Sequence, residues 1–448
     1  MNLSSAISLA CLASAALLAG CRTTTPAYEQ HARDRLAAAP SPSPSLNSQP
    51  STLNSESPSS DFVRFAVLHH PAVRAAYDDW RAAVASITPA RSLPDPQFTF
   101  QADITDTLMT FMPGLMFDVM GPGKRAAMGR EAAAGAETAH RAYVAAVLRV
   151  AAEARHALID LAYVEQSRRL YGATIHAIDE TLALTNAGYA TGRGMNASFA
   201  EQARLQNEAA RHHAHHAALD DQLVATRARF KSALGLAPGD ADPPWPDPGL
   251  TATTLPPADE LWRRTAAANP DLAQMRAMVD LAVASVEVAQ KSGAPDFSVG
   301  AMADLRANPL MVRPTATVSL PIWRDKIAST IAAAGARRAA ATERLQAREL
   351  ELASELAQQI FMVRESDRML AYIDRTALPN LARTLDSLEA GVASGASEPV
   401  AIAETRMSQL DLQHERLDAL RDRENAVVDL LLLTAAVAPA DFNHSSQE

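Results

Sequence analysis

The chain is short of cysteine, of aromatic residues and of clustered positive charge. Only 2 of its 448 residues are Cys, both within the first 21, so no disulfide framework holds the rest together. Aromatics make up 5% against an apolar share of 48%, which leaves Ala, Leu and Val to fill the interior. That composition suits close-packed helices. With a formal charge of −10, the chain offers no basic surface to displace counterions from a phosphate backbone, which excludes nucleic acid as a partner. Beyond the N-terminus no apolar run is long enough for a transmembrane helix; the nearest, VVDLLLLTAAVA at 427–438, is short and broken by Asp429. A nucleotide-binding loop, a CxxC pair and a Ser/His/Asp arrangement in a recognisable context are also missing, so no enzyme chemistry, cofactor site or metal site is assigned.

What is present begins with MNLSSAISLACLASAALLAGC. Its apolar core of about 14 residues is too short to span a bilayer and reads as a signal peptide over 1–20. The last four residues, Leu18-Ala19-Gly20-Cys21, resemble the bacterial lipobox. That resemblance implies that Cys21 is the first mature residue and carries a covalent lipid. Arg22 follows it rather than Asp, which in lipoproteins implies sorting to the outer membrane. A plain secretory leader with a chance cysteine is the alternative. Residues 40–60 are rich in Pro and Ser and too polar to bury, so 21–61 reads as a lipidated flexible tether.

The remainder is written twice. HPAVRAAYDDWRAAVAS from His70 and NPDLAQMRAMVDLAVAS from Asn269 align on their prolines at a shift of 199, and AAAGA recurs at 132–136 and 332–336. AGYATGRGMNASFAE at 187–201 returns as AGVASGASEPVAIAE at 390–404, with the shift grown to 203. The first repeat is 62–236 and the second 259–438. Between them lies a Pro-rich linker at 237–258, and a disordered tail at 439–448 follows the second.

Both repeats predict the same order of elements. A helix near 64–90 or 259–291 comes first, with its proline in the first turn. Two segments of period-two alternation follow, near 97–120 and 296–321. They place Phe98, Phe100, Ala102 and Ile104 on one face, with Leu115, Phe117 and Val119, and in the second copy Phe297, Val299, Ala301 and Ala303 with Val312, Pro314, Ala316, Val318 and Leu320. Helical pattern then runs from about 123 to 187 and from about 325 to 390. Apolar positions such as Tyr143, Val147, Val150, Ala154, Leu158 and Leu161 recur by threes and fours, and each helix would be roughly 95 Å long. A returning helix of about 40 residues completes each copy.

The twice-written sentence is the hairpin tip between long and returning helices. Gly188 and Gly192, and Gly391 and Gly395, are residues able to take positive φ at a helix C-terminus. Ser198 with Glu201 has capping-box spacing, and Ser397 with Pro399 can start the second returning helix. Four short strands cannot close a barrel, and an open sheet with an outward apolar face exposes its edges. Three copies would supply twelve strands, an even number within the outer-membrane range. The fold class is therefore mainly α with a small β part, in duplicated helix–β-hairpin–long helix–turn–helix units.

These features together resemble the TolC-type outer-membrane factors over nearly the whole mature length. They are the doubled order of elements, LPDPQFTF before the first strand, GPGKR after the second, ALGLAPGD closing the first copy and the paired A-G-x-A-x-G tips. The resemblance implies a homotrimer: a twelve-stranded β-barrel in the outer membrane, continued by a periplasmic α-helical barrel. It implies an exit duct of a tripartite efflux system for toxic ions or small molecules, with an adaptor protein and an inner-membrane pump as partners. The LPDP entry and the length look more like the heavy-metal branch than the drug or protein-secretion branches. In this family the tips dock adaptor hairpins through an apolar residue just after the tip Gly, a place held here by Arg193 and Ala396. A non-pore periplasmic coiled-coil lipoprotein, serving as scaffold or metal binder, is the alternative reading.

Two side-chain groups remain. Asp386 and Glu389, a helical turn above the second tip, would form rings of like charge on a threefold axis if they point inward, which makes them the candidate gate. A solvated helix end is the other reading. In the cluster His212, His213, His215 and His216, the i, i+4 pair His212 and His216 could reach one metal. It also continues the stripe Leu205, Leu219, Leu223 and Phe230, so core packing competes, and the cluster is not entered as a metal site.

Overall fold

A computed structural model describes residues 25–40, 53–54, 57–105, 108–191, 199–246, 249–250, 252–304, 310–393 and 399–437. The signal peptide, Cys21 and the 439–448 tail lie outside them. Before the first repeat comes α1 (Ala27–Ala38). The first repeat contains α2 (Ser59–His69), α3 (Pro71–Arg91), β1 (Gln97–Thr105), β2 (Leu108–Val119), α4 (Lys124–Thr191) and α5 (Phe199–Ala233). The second contains α6 (Ala258–Ala268), α7 (Pro270–Lys291), β3 (Asp296–Asp304), β4 (Met311–Ser319), α8 (Arg324–Tyr372), α9 (Leu378–Ala393) and α10 (Pro399–Leu433). The described residues fall into two compact units. One is drawn from Met1–Ala39, Arg81–Glu137 and Glu287–Thr330, the other from Pro40–Trp80, Thr138–Val286 and Ile331–Glu448.

The first unit is built around a four-stranded antiparallel sheet in the order β1-β2-β3-β4. Each repeat contributes a hairpin, and β2 joins β3 in a register that runs from Gly114 opposite Met302 to Val119 opposite Phe297. The expected apolar face forms across all four strands. Phe98 lies opposite Leu115, Leu115 opposite Ala301 and Ala301 opposite Pro314, while Val119, Phe297 and Val318 make a parallel row. The side chains of Ala102 and Ile104 lie outside the described residues. The tether reading of 21–61 needs correction at 27–38, which is a docked helix. Its Ala, Glu, Arg and Leu content favours helix, and the fully buried Glu29 ion-pairs with Arg91 while accepting a 2.7 Å hydrogen bond from the Thr88 hydroxyl.

The second unit is helical. The stripe Tyr143, Val147, Val150, Ala154, Leu158 and Leu161 is buried throughout, as its spacing requires. Trp80 stacks on Tyr143 at 5.5 Å, and Phe62 meets Phe230 at 5.7 Å. In the second repeat Leu261 and Leu272 pack with Leu352, Leu356, Val427 and Leu430.

The opening helix of each repeat is two helices, not the single one that the pattern suggests. Proline restricts the residue before it to extended backbone, and His70 (ψ 130°) and Asn269 (ψ 126°) comply. Each then caps the next helix. The His70 Nδ1 accepts from the Ala72 N–H at 3.1 Å, and Asn269 Oδ1 accepts from the Leu272 N–H at 3.0 Å.

The long helices also differ from expectation. Helix α4 runs unbroken for 68 residues, on the order of 100 Å at 1.5 Å per residue. Its counterpart is interrupted between α8 and α9 by a π-helical turn, Ile373–Ala377. Pro379 accounts for this: it has no N–H to give, its ring crowds the carbonyl four residues back, and the ladder widens. Helix α4 holds no proline.

Both returning helices end in the same cap. After α5, the Gly235 N–H bonds the Ser232 carbonyl at 2.8 Å and the Leu236 N–H bonds the Lys231 carbonyl at 3.1 Å. After α10, Ala435 and Ala436 repeat both bonds to Leu432 and Leu431 at 3.1 and 2.7 Å. This is the Schellman motif, which requires a left-handed residue. Gly235 (φ 79°) supplies it in the first copy, and Ala435 (φ 56°) is forced into it in the second. Ala435→Gly is expected to raise stability by about 1 kcal/mol by relieving a Cβ that disfavours this region. Gly235→Ala should cost more than that, because the new Cβ would sit 2.7 Å from the His70 Cα. Denaturant midpoints of the two variants check both signs.

Candidate functional site

The sheet is inside out by the standards of a soluble protein. Its apolar side chains are the exposed ones: Phe98 is 58% accessible, Val299 50% and Val318 47%. The opposite face carries the polar chemistry. Asp118 accepts hydrogen bonds from Gln97 Nε2 at 2.9 Å and from the Ser298 hydroxyl at 2.5 Å, while Arg313 pairs with Asp304 at 3.6 Å. Met112 is buried on that same side. Strands of 9 to 12 residues match the length that a tilted strand needs to cross hydrocarbon. The sheet begins at β1 and ends at β4, so each of these strands has one edge with no strand partner among the described residues. At the foot of the sheet, Asp296 binds Lys124 at 2.8 Å and the Gly121 N–H at 2.7 Å. These bonds tie the start of β3 to the start of α4.

Residues 192–198 and 394–398, where the hairpin turns are expected, lie outside the described residues, and with them Gly192, Arg193, Gly395 and Ala396. Gly188 and Gly391 are inside helix, since α4 continues to Thr191 and α9 to Ala393. The positive-φ role given to these two glycines is therefore corrected: the helical ladder carries through them for three and two further residues. Pro399 opens α10 at its first position, as its missing N–H permits.

Of the candidate gate residues, both are exposed. Glu389 accepts a 3.0 Å ion pair from Arg406 on the returning helix, so much of its charge is answered inside its own hairpin. More pairs occur further down the same helix. Arg416 binds Asp374 within the π-helical turn at 2.7 Å, and Arg423 binds Asp367 at 2.7 Å.

The histidine cluster does not gather as an i, i+4 chelate. His212 Nε2 lies 3.6 Å from Glu208 and His216 Nδ1 lies 3.4 Å from Asp220, each turned to a carboxylate one helical turn away. His212 and His215 instead converge with His414 on the ring of Tyr171, at centroid distances of 5.7, 5.7 and 4.1 Å. A phenol ring occupies the middle of the group. His212 Nδ1 and His414 Nε2 are buried with no hydrogen-bond partner among the described residues. Burial holds both imidazoles below their usual pKa, against the pull of Asp411 on both, Glu208 on His212 and Asp418 on His414.

His156 shows the opposite balance. Burial again disfavours its charge, but Nε2 binds Asp429 at 3.0 Å and Nδ1 binds Asn425 at 2.8 Å, and the net shift is upward. Asp429, the charge that interrupts the last apolar run of the sequence, thus has a partner 273 positions away. Neither the Tyr171 group nor the His156 pair was visible in the sequence, because each joins helices from different repeats.

These shifts give stability two slopes with pH. The contribution of His212 and His414 is complete above pH 6.5 and is lost as pH falls below it toward their lower folded values. The contribution of His156 is complete below pH 6.5 and is lost as pH rises through its higher folded value. Thermal midpoints measured from about pH 5 to 8 should fall on the acid side. The double variant His212→Gln/His414→Gln should reduce the slope of that acid limb, to which buried His70 also contributes, and leave the alkaline limb unchanged, whereas His156→Gln should flatten the alkaline limb alone.

With this geometry in place, the likeness to known proteins is informative. Residues 261–436 match the family described as outer membrane efflux protein. No curated protein matches the chain by sequence. Solved structures match it over most of its length. The CmeC outer membrane channel of Campylobacter jejuni superposes with a TM-score of 0.69 at 13% identity, covering 87% of this chain and 89% of its own. VceC of Vibrio cholerae, an outer membrane protein, gives 0.68 at 16%, covering 85% and 96%. The open state of the MtrE outer membrane channel of Neisseria gonorrhoeae gives 0.71 at 15%, covering 85% and 89%. The outer membrane efflux protein family thus accounts for the second repeat, and the chain as a whole has the fold of the TolC-type outer-membrane factors.

Proposed function

We propose that the protein is the outer-membrane exit duct of a tripartite efflux system, a passive conduit for toxic ions or small molecules. The observation that carries this reading is the inverted sheet, with apolar side chains outward, polar side chains on the other face and an unpaired edge at each end. Lipid is the solvent in which that arrangement is stable, and closure with further copies is what removes the edges. Three copies make the twelve-stranded homotrimer. The helices then form the periplasmic part of the tunnel, and the tips around Gly188, Gly192, Arg193, Gly391, Gly395 and Ala396 face the adaptor and, through it, the pump. Asp386 and Glu389 stand near the narrow end as candidate gate groups, and Cys21 carries the lipid that adds a second hold on the membrane. Such a duct works by providing and closing a path, so it needs neither catalytic residues nor a cofactor.

The scaffold alternative has no use for a sheet whose apolar face packs against nothing. Val299→Lys on the central strand β3 separates the two readings. A charge on a lipid-facing strand costs about 2–4 kcal/mol at mid-bilayer, whereas an exposed position on a water-soluble scaffold changes by within about 0.5 kcal/mol. The duct reading expects V299K to lose most detergent-resistant trimer on refolding into vesicles, while Thr317→Lys on the polar face of β4 retains it. Equal yields from wild type and V299K would reject the lipid-facing wall.

A further inference from the structure

In the helical unit, a cavity of about 190 Å³ lies between α4 and α10 and is covered by linker residues Gly249, Leu250 and Thr253. Leu158 and Ile159 of α4 and Val428 and Leu431 of α10 give it apolar walls, and two charged side chains, Arg155 and Glu424, also line it. Those two charges are not partners. Glu424 accepts from the Thr253 N–H at 3.0 Å, from the Thr253 hydroxyl at 2.6 Å and from Arg423 at 2.5 Å, so both of its oxygens are occupied. Arg155 has no ion pair or hydrogen bond among the described residues, and its Nε is buried without a partner.

A guanidinium keeps its proton in any protein environment, so Arg155, half-buried with its Nε enclosed, is a cation partly withdrawn from water with no opposite charge bonded to it among the described residues. Such a charge is normally paired, because desolvation is otherwise uncompensated. Burial accordingly weakens its hold on the proton, and no neighbouring charge opposes that effect. A lone cation beside an aliphatic wall is half of a binding site for a molecule with an anionic head and an apolar tail.

We infer that this cavity binds a short aliphatic carboxylate, with its head on the Arg155 guanidinium and its chain along Leu158, Ile159, Val428 and Leu431. Size sets the length of the tail. A cavity of about 150 Å³ accommodates benzene, so the present one suits roughly seven or eight non-hydrogen atoms, the size of pentanoate or hexanoate. An inorganic anion would satisfy Arg155 but leave the apolar wall uncovered. A neutral alcohol of the same length would do the reverse. Bound there, the carboxylate would pin the inter-repeat linker against α4 and α10. The site belongs to the helical unit, so its test stands apart from whether the sheet closes a barrel.

The test is calorimetric titration of hexanoate, hexanol and inorganic phosphate into the full-length protein in detergent solution, whatever its oligomeric state. Saturable hexanoate binding is expected, with hexanol and phosphate each weaker by about tenfold or more, the value of one charge-assisted contact. Arg155→Gln should weaken hexanoate by a similar factor and leave hexanol unchanged. Should Arg155→Gln fail to assemble, Val428→Trp fills the cavity while keeping the cation, and it should abolish hexanoate binding. Hexanol binding as tightly as hexanoate, or hexanoate binding unaltered by both substitutions, or no saturable hexanoate binding to wild type, would each overturn the inference.

Discussion

Everything in this chain stems from a sheet that cannot finish itself. Four strands with an apolar exterior leave two ladders open, and backbone groups in hydrocarbon tolerate no open ladder. On the proposed reading the remedy comes from outside the chain, with copies of the same polypeptide providing the matching edge. The duplication is part of this economy. One hairpin per repeat, joined through the β2–β3 pairing, doubles the sheet that one protomer contributes.

The helical unit solves a different problem, which is how to keep long helices in register when the core is poor in aromatics. Ala-rich faces bring helices close, and the few rings present are placed at junctions, as where Trp80 meets Tyr143 and Phe62 meets Phe230. Polar groups then fix the register. Arg406, Arg416 and Arg423 on α10 each find a carboxylate on the preceding helices, and His156 reaches Asp429 across the two repeats. The exposed pairs among these contribute little energy singly; together the set selects one sliding position among several that an alanine surface would accept.

Local periodicity made much of this legible. Alternation every second residue marked the strands, because one face of each had to be apolar whichever solvent it met. Spacing by threes and fours from Tyr143 to Leu161 marked the buried stripe of α4 for the same reason. Features that depend on a single residue or on distant partners were hidden. Helix α1 looked like tether because nothing in AYEQHARDRLAA announces that Glu29 will be buried against Arg91. Pro71 and Pro270 read equally well as first-turn residues of one helix or as breaks between two. The Tyr171 group draws on α4, α5 and α10, so no window of sequence contains it.

The π-helical turn has a consequence for symmetry. The spacing between the two copies widens from 200 at AAAGA to 203 at the tips, in the stretch that holds this turn; three added residues turn an α-helix by about 300°, and the wider π-helical turn takes up part of that rotation. The two long helices of a protomer are therefore related in sequence but differ in local geometry, one unbroken and the other interrupted. A ring assembled from three such chains would be a dodecamer of helices with true threefold order and only approximate sixfold order.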